Sequence, residues 1–149
     1  MSKPMLQLEK YFFPKIFLEA NPKFKPLGKG PQAELDVKNG VTLLSKEERI
    51  WRVTLDLKAL SKEDFAAYKI DISVVGFFKV DKKFPESEME ELVKVGGSSI
   101  LYSATRDFVL TITARGPWPA VFLPTTSFMK PRIKSTDKKQ EIPDETGKE

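Results

Sequence analysis

The sequence predicts an α+β fold, in which a four-stranded antiparallel sheet carries a short helix and one long helix on one face. Four stretches within residues 5–80 alternate apolar and polar side chains, as strands with one buried face do. A stretch at about residues 99–115 then repeats apolar residues at helical spacing. With 149 residues, the chain is expected to form one domain around one core.

The first two strands contain residues that interrupt regular pairing. Residues 5–20 alternate imperfectly, and we expect Pro14 to interrupt this strand because proline cannot donate a ladder hydrogen bond. The segment "AELDVK" begins the second strand, and Asn39-Gly40 predicts a turn or a bulge there. The dense Pro, Gly and Lys of residues 21–32 predict a long connection between the two strands.

The third and fourth strands carry the clearest alternation. In "RIWRVTLDLKAL", the residues from Trp51 to Leu57 place apolar side chains on one face and polar ones on the other. The fourth strand is "YKIDISVVGFFKV", where Val75 and Phe77 interrupt the polar face, so its middle is expected to be covered on both sides. Gly76 is interpreted as a bulge or a point of close backbone packing.

Two helices follow the strands. A short one, "PESEMEELVKVGG", has Ser87 and Glu90 at capping-box spacing and is expected to end at Gly96-Gly97. Ser98 or Ser99 then caps the long helix, which Gly116-Pro117 stops. The long helix is apolar nearly all round, so it is expected to be buried on more than one side. Since one sheet covers only one side, the other is expected to meet a second subunit.

The composition argues against several classes of protein. The chain has no Cys and no His, which removes thiol chemistry and the commonest general base and metal ligand. It also shows no P-loop, Rossmann fingerprint, nucleophile elbow or metal-ligand spacing. We therefore expect no enzyme activity and no cofactor. Without a run of about 18 apolar residues or a signal-peptide core, the chain is predicted to be cytoplasmic, with no membrane span.

The basic charge is spread along the chain. The net charge is +4, but the lysines of the early loop and of the C-terminal stretch are mixed with acids or with Pro and Gly. This distribution argues against nucleic-acid binding, and solvated segments are the simpler interpretation. We predict a folded domain over residues 1–130 and a disordered polar tail over 131–149, which has too few apolar residues to offset its ordering entropy.

An apolar coil after the long helix is the main functional signal. Proline punctuates this stretch, which carries Trp118, Val121, Phe122 and Leu123, with Phe128 beyond. One interpretation is a core loop folded under the helix, and the other is a groove for apolar segments of another chain. From the residues alone the two interpretations have about equal weight.

The order of these motifs resembles the SecB family of protein-export chaperones. The helix begins with Leu101-Tyr102 and ends with Arg115-Gly116. It is followed by Trp118-Pro119, then Leu123-Pro124, with Phe128 completing the pattern. Together with "IFLEANP", "AELDVK" and "VGFFKV" upstream, the resemblance extends over about residues 6–128.

The resemblance implies a holdase that binds unfolded polypeptide in apolar grooves without ATP, assembled as a homotetramer that is a dimer of dimers. The predicted client groove, from the residues and the resemblance together, comprises Leu35, Val37, Val75, Phe77, Trp118, Val121, Phe122 and Phe128. The predicted subunit interface on the long helix comprises Leu101, Tyr102, Thr105, Arg106, Val109 and Thr113.

The chain also departs from the family pattern. Glu19 and Asp71 match acidic positions that face the export motor SecA, but Lys15 stands where an acid is expected and Lys69 where an apolar residue is expected. The residues after Phe128 do not predict the family's second long helix. A SecB-like chaperone that protects the antitoxin of a toxin–antitoxin system is therefore an alternative. A small-ligand carrier or a nucleic-acid-binding module is a remoter one.

Overall fold

A computed structural model describes residues 3–24, 34–60 and 67–129. Four strands come first: β1 (Leu6–Ala20), β2 (Glu34–Ser45), β3 (Ile50–Leu60) and β4 (Tyr68–Val80). A helical segment follows, built from a 3-10 turn (Glu86–Glu88), α1 (Met89–Leu92), a π-helical turn (Val93–Gly97) and α2 (Ser98–Thr113). The predicted tail at 131–149 and most of the connection after β1 lie outside the described residues.

The four strands form one antiparallel sheet in the order β1-β4-β3-β2. Strands β2, β3 and β4 form a meander, and β1 pairs with β4 to occupy the other edge. The sheet carries its helices on one face, which we call the inner face, while the opposite face is called the outer face. The predicted α+β fold is thereby confirmed.

The core lies between the inner face of the sheet and α2. Alternate residues of β3 and β4 are buried on this face, including Val53, Leu55, Ile72 and Phe78. Their partner Leu101 on α2 is fully buried, and a Cβ added at Gly76 would lie 2.8 Å from its Cδ2 atom. Gly76 therefore marks close packing between strand and helix rather than a bulge.

Strand β1 is not interrupted at Pro14, which corrects the prediction from the sequence. The strand runs through fifteen residues and absorbs the proline in a shift of register between Phe12 and Lys15. A second shift lies between Leu8 and Lys10. A bulge leaves a residue without a ladder partner, so the missing proline donor is tolerated there.

Asn39 and Gly40 neither turn the chain nor form a bulge. They pair in regular register with Leu55 and Thr54 inside β2 and β3. The Asn39 side chain donates a 2.8 Å hydrogen bond from Nδ2 to the hydroxyl of the fully buried Ser98. A polar residue of the inner face thus fixes the start of α2.

The short and long helices are continuous, so the predicted break at Gly96-Gly97 is wrong. Gly97 has helical dihedral angles of φ −64° and ψ −43°. A Cβ there would lie 2.9 Å from Cγ2 of Val53, so the glycine lets the helix approach the sheet. Because there is no break, the predicted serine cap is also absent, and Ser99 instead donates to the Val95 carbonyl oxygen at 2.8 Å.

The capping box predicted for the short helix does not form either. Ser87 lies inside the 3-10 turn, and no side chain caps that turn or α1. The acidic residues still crowd the first turns, where they interact favourably with the helix dipole.

Candidate functional site

The coil after α2 lies against the helix and is held there by three side chains of α2. Thr113 Oγ1 accepts a 2.8 Å hydrogen bond from the Val121 amide. Arg106 donates from Nε to the Leu123 carbonyl oxygen at 3.1 Å, and the Tyr102 hydroxyl donates to the Pro124 carbonyl oxygen. These bonds fix the coil without a regular secondary structure of its own.

The turn between α2 and the coil depends on Tyr68 of β4. Its hydroxyl donates weakly to the Thr113 carbonyl oxygen at 3.4 Å and accepts from the Trp118 amide at 3.3 Å. A Cβ at Gly116 would collide with this hydroxyl. The glycine is therefore required by close approach, and the tyrosine sets where the coil begins.

Trp118 is anchored at the far end of β1. Its indole Nε1 donates to the Asn21 carbonyl oxygen at 3.0 Å. Its ring meets the Phe24 ring edge-on, with the two centroids 5.2 Å apart. Half-buried and bonded in this way, Trp118 is a support for the coil as well as an apolar surface.

A shallow hollow opens beside the coil on the outward side of α2. It has a volume of about 230 Å³ and is lined by Ser103, Arg106, Asp107, Leu110, Phe122 and Leu123. Leu123 is buried, whereas Phe122 is 76% exposed, the largest exposure among the exposed large hydrophobic side chains of the described residues. An aromatic ring held in water at the rim of a partly apolar hollow is suited to contact with apolar side chains of another chain.

Five of the predicted groove residues pack against the core on the inner side of the sheet. Leu35 and Val37 pair with core residues of β3, and they are half-buried, as are Trp118, Val121 and Phe128. The Phe128 ring also meets Tyr102 edge-on at 5.9 Å between centroids. Most of the coil therefore packs against the core, as the first interpretation expects, and Phe122 projects outward.

Val75 and Phe77 do not join that groove, which corrects their assignment. They alternate along β4 with the buried Val74, Gly76 and Phe78, so their side chains lie on the outer face. The sheet itself separates them from the coil.

The predicted subunit interface also requires correction. Leu101, Tyr102, Thr105, Val109 and Thr113 are buried within the single chain, where they face the sheet and the coil. The helical period predicted their common stripe but not which side of the helix the sheet would cover. Arg106 is half-buried and contacts the coil. The outward side of α2 instead carries Ile100, Ser103, Asp107 and Leu110.

The two acidic residues matched to a SecA-facing surface both lie on the outer face. Glu19 lies opposite Lys69 in the β1–β4 register, and Asp71 forms a salt bridge with Lys15, with 2.7 Å between Oδ2 and Nζ. Each acid thus has a basic neighbour on the adjacent strand.

The described residues include no group of three or more acidic side chains arranged to hold a metal ion. Across the same three described ranges, no helix is long and apolar enough to cross a membrane.

A family model described as preprotein translocase subunit SecB matches residues 1–133. The chain belongs to the SecB family. This family consists of chaperones for protein export, which are not enzymes. The resemblance inferred from the motifs is confirmed.

Relatives of known name agree with this SecB assignment. The protein-export protein SecB of Aromatoleum aromaticum is 26% identical over 83% of this chain and 79% of its own length. That of Ehrlichia canis is 26% identical over 66% of this chain and 60% of its own length. A SecB-like chaperone from Mycobacterium tuberculosis, solved with a peptide from an antitoxin, has the same fold with a TM-score of 0.63 and 17% identity. That match covers 83% of this chain and 91% of the other.

Sequence reasoning missed the residues that hold the coil of this SecB chain in place. Tyr68 was predicted only as part of the fourth strand and Thr113 as part of a subunit interface, yet both bond the coil. A polar side chain on the buried stripe of a helix was the available signal, because buried hydroxyls usually have a partner.

Proposed function

We propose that this SecB-family chain is an ATP-independent holdase that binds non-native polypeptide along the coil that follows α2. The exposed Phe122 ring at the rim of the hollow carries this proposal. Affinity comes from apolar surface removed from water, at roughly 25 cal/mol per Å². Such binding needs no catalytic group, so the protein is proposed to act without enzyme activity. Its proposed location is the cytoplasm.

A single exposed substitution tests the groove. Phe122→Asp places a charge where a client side chain would lie and disturbs no buried contact. Light scattering of insulin reduced with dithiothreitol is a suitable assay, because the chain contains no Cys for the reductant to affect. The parent protein is expected to suppress aggregation without nucleotide, and Phe122→Asp to lose most of that suppression.

Thr125→Asp is the matched control, because Thr125 is exposed on the same coil and the change adds a similar charge. It is expected to protect insulin as the parent does. Equal protection by the parent and by Phe122→Asp would contradict client binding at Phe122. Equal loss of protection in Phe122→Asp and Thr125→Asp would show that the added charge, and not the loss of the ring, is responsible.

We also propose that the protein assembles as a homotetramer, a dimer of dimers, through the outward side of α2. Within Ser98–Thr113 only Arg106 and Asp107 are charged, and Ile100 on the outward side is 37% exposed. A helix with so few charges on its uncovered side is suited to an isologous contact with its copy.

Protection of an antitoxin is the second candidate function. The fold neighbour from Mycobacterium tuberculosis was solved with an antitoxin peptide, and the ion pair with Lys15 partly neutralises Asp71 on the face expected to meet SecA. Co-expression with the products of adjacent genes distinguishes the candidates. Stabilisation of a short-lived neighbour-encoded protein favours the antitoxin role, whereas co-purification with SecA, lost on Glu19→Lys/Asp71→Lys, favours export.

A further inference from the structure

The outer face of the sheet carries an aromatic cluster of Phe12, Val75 and Phe77. Phe12 lies directly opposite Val75 in the β1–β4 pairing, and its ring centroid is 6.2 Å from that of Phe77. Phe12 is 42% exposed, because the core contacts of its strand are made on the inner face and none of the described residues covers the outer face at this point. Aromatic side chains clustered in water on an open sheet are typical of a binding surface.

Cations surround this aromatic cluster. Phe77 is paired on one side with Lys10 of β1 and on the other with Arg52 of β3. The ammonium of Lys10 lies 5.9 Å from the centroid of the Phe12 ring. Two residues beyond Phe77 on the same face, Lys79 reaches the rim of a hollow of about 400 Å³, which is also lined by Lys3, Lys82 and Lys83.

These six cations have no acidic partner within the part of the chain that the structure describes. The ion pairs there are Lys15 with Asp71 and Lys46 with Glu86, neither of which includes them. Asp81 also lines the hollow, but its single carboxylate faces the four lysines Lys3, Lys79, Lys82 and Lys83, so the net charge there stays positive. The positive potential at this end of the sheet is therefore largely uncompensated, although the other end of the same face is ion-paired.

We propose that this basic aromatic patch docks an acidic segment of another protein that also carries apolar side chains. The patch comprises Lys3, Lys10, Phe12, Arg52, Val75, Phe77, Lys79, Lys82 and Lys83. Carboxylates of the partner meet the unpaired cations, and its apolar side chains cover the exposed rings. The patch lies on the opposite face of the sheet from the groove, so the partner is distinct from a client held there.

A polypeptide fits the patch better than a nucleic acid does. Val75, Phe77 and Lys79 alternate along the outer face of β4 about 7 Å apart, which matches the spacing of side chains on one face of an extended peptide. From Val75 to Val80 the fourth strand spans five residue steps, or about 17 Å of extended chain, and Lys82 and Lys83 lie in the turn just beyond it, so a segment of about six residues reaches from the aromatic cluster to the hollow.

The test uses a fluorescein-labelled ten-residue peptide in which Glu alternates with Leu, with binding followed by fluorescence anisotropy. The parent protein is expected to bind it, and Lys79→Glu/Lys82→Glu/Lys83→Glu to bind at least about tenfold more weakly. The matched control is Lys23→Glu/Lys46→Glu/Arg115→Glu, which has the same net charge but leaves the patch intact. It is expected to bind within about threefold of the parent, since distant exposed charges are screened.

The other arms identify the occupant and the site. An unlabelled peptide in which Lys alternates with Leu keeps the apolar side chains but reverses the charge, and it is expected not to displace the labelled peptide, so binding at the groove and binding at the patch give different results. Equal losses in the two triple variants, displacement by the Lys–Leu peptide, or tighter binding of a ten-nucleotide oligothymidine would each overturn the proposal. If the patch variant does not fold, hydrogen exchange of the parent decides: added peptide must protect amides within residues 77–83.

Discussion

The Tyr68 hydroxyl occupies the space that a side chain at Gly116 would need. This one contact joins the end of the sheet to the turn that leads from α2 into the coil. Tyr68 is buried, with 4% of its surface exposed, so its ring cannot move aside without opening the core.

Gly116→Ala is therefore expected to destabilise the protein by about 1–3 kcal/mol, because a buried group must shift to admit the methyl. Chemical denaturation followed by intrinsic fluorescence measures this change. In a Tyr68→Phe background the same substitution is expected to cost less, since the colliding oxygen is gone. Additive costs in the double variant would show that the two residues do not compete for this space.

The adjacent glycines Gly96 and Gly97 are expected to respond differently to alanine. A Cβ at Gly97 meets the fully buried and stiff Val53 at 2.9 Å, whereas one at Gly96 meets only the end of the Leu6 side chain. Gly97→Ala should cost about 1–3 kcal/mol, while Gly96→Ala should stay within about 1 kcal/mol because the alanine also favours the helix. Melting curves of the two variants compare them, and equal effects would contradict the close approach at Gly97.

The sequence predicted local structure better than it predicted which surfaces come together. The alternation from Trp51 to Leu57 and the helical spacing around Leu101 depend on local backbone geometry, and both were correct. Gly97 was misinterpreted because a glycine that ends a helix and one that admits a neighbouring strand look the same in one sequence. Only the position of Val53 across the core distinguishes them.

The candidate site was predicted in part for the same reason. Alternation in β4 places Val75 and Phe77 on the face opposite Phe78, but it does not say which face the coil will cover. The stripe containing Tyr102 and Val109 was likewise recognised, yet a single helix contains no information on whether a sheet or a second subunit lies against it.

The outward side of α2 is expected to hold the subunits together. Ile100→Asp adds a charge on that side, where Ile100 is 37% exposed and does not line the hollow, and should shift the assembly toward smaller species. Native mass spectrometry measures the shift. Thr42→Asp, an exposed change on the outer face of β2, is the control and should leave the assembly intact. A parent protein that is a strict monomer would contradict the proposed tetramer.

Thr113 and Thr105 offer a matched pair for measuring how strongly α2 holds the coil. Both are fully buried on the same face of the helix, and each hydroxyl donates to the carbonyl oxygen four residues earlier, at 2.7 Å and 2.8 Å. Only the Thr113 hydroxyl also accepts a bond from the coil, at the Val121 amide. Thr→Val keeps the shape of the side chain and removes the hydroxyl at either position.

Thr113→Val is expected to be more destabilising than Thr105→Val by about 1–3 kcal/mol, because it leaves the half-buried Val121 amide without its acceptor. Denaturant titration gives the difference in stability, and hydrogen exchange at the Val121 amide should accelerate in Thr113→Val alone. Suppression of insulin aggregation should weaken with it, since a released coil no longer positions Phe122 at the hollow. If Thr113→Val released the coil but protected insulin fully, the fixed position of Phe122 would be irrelevant to client binding.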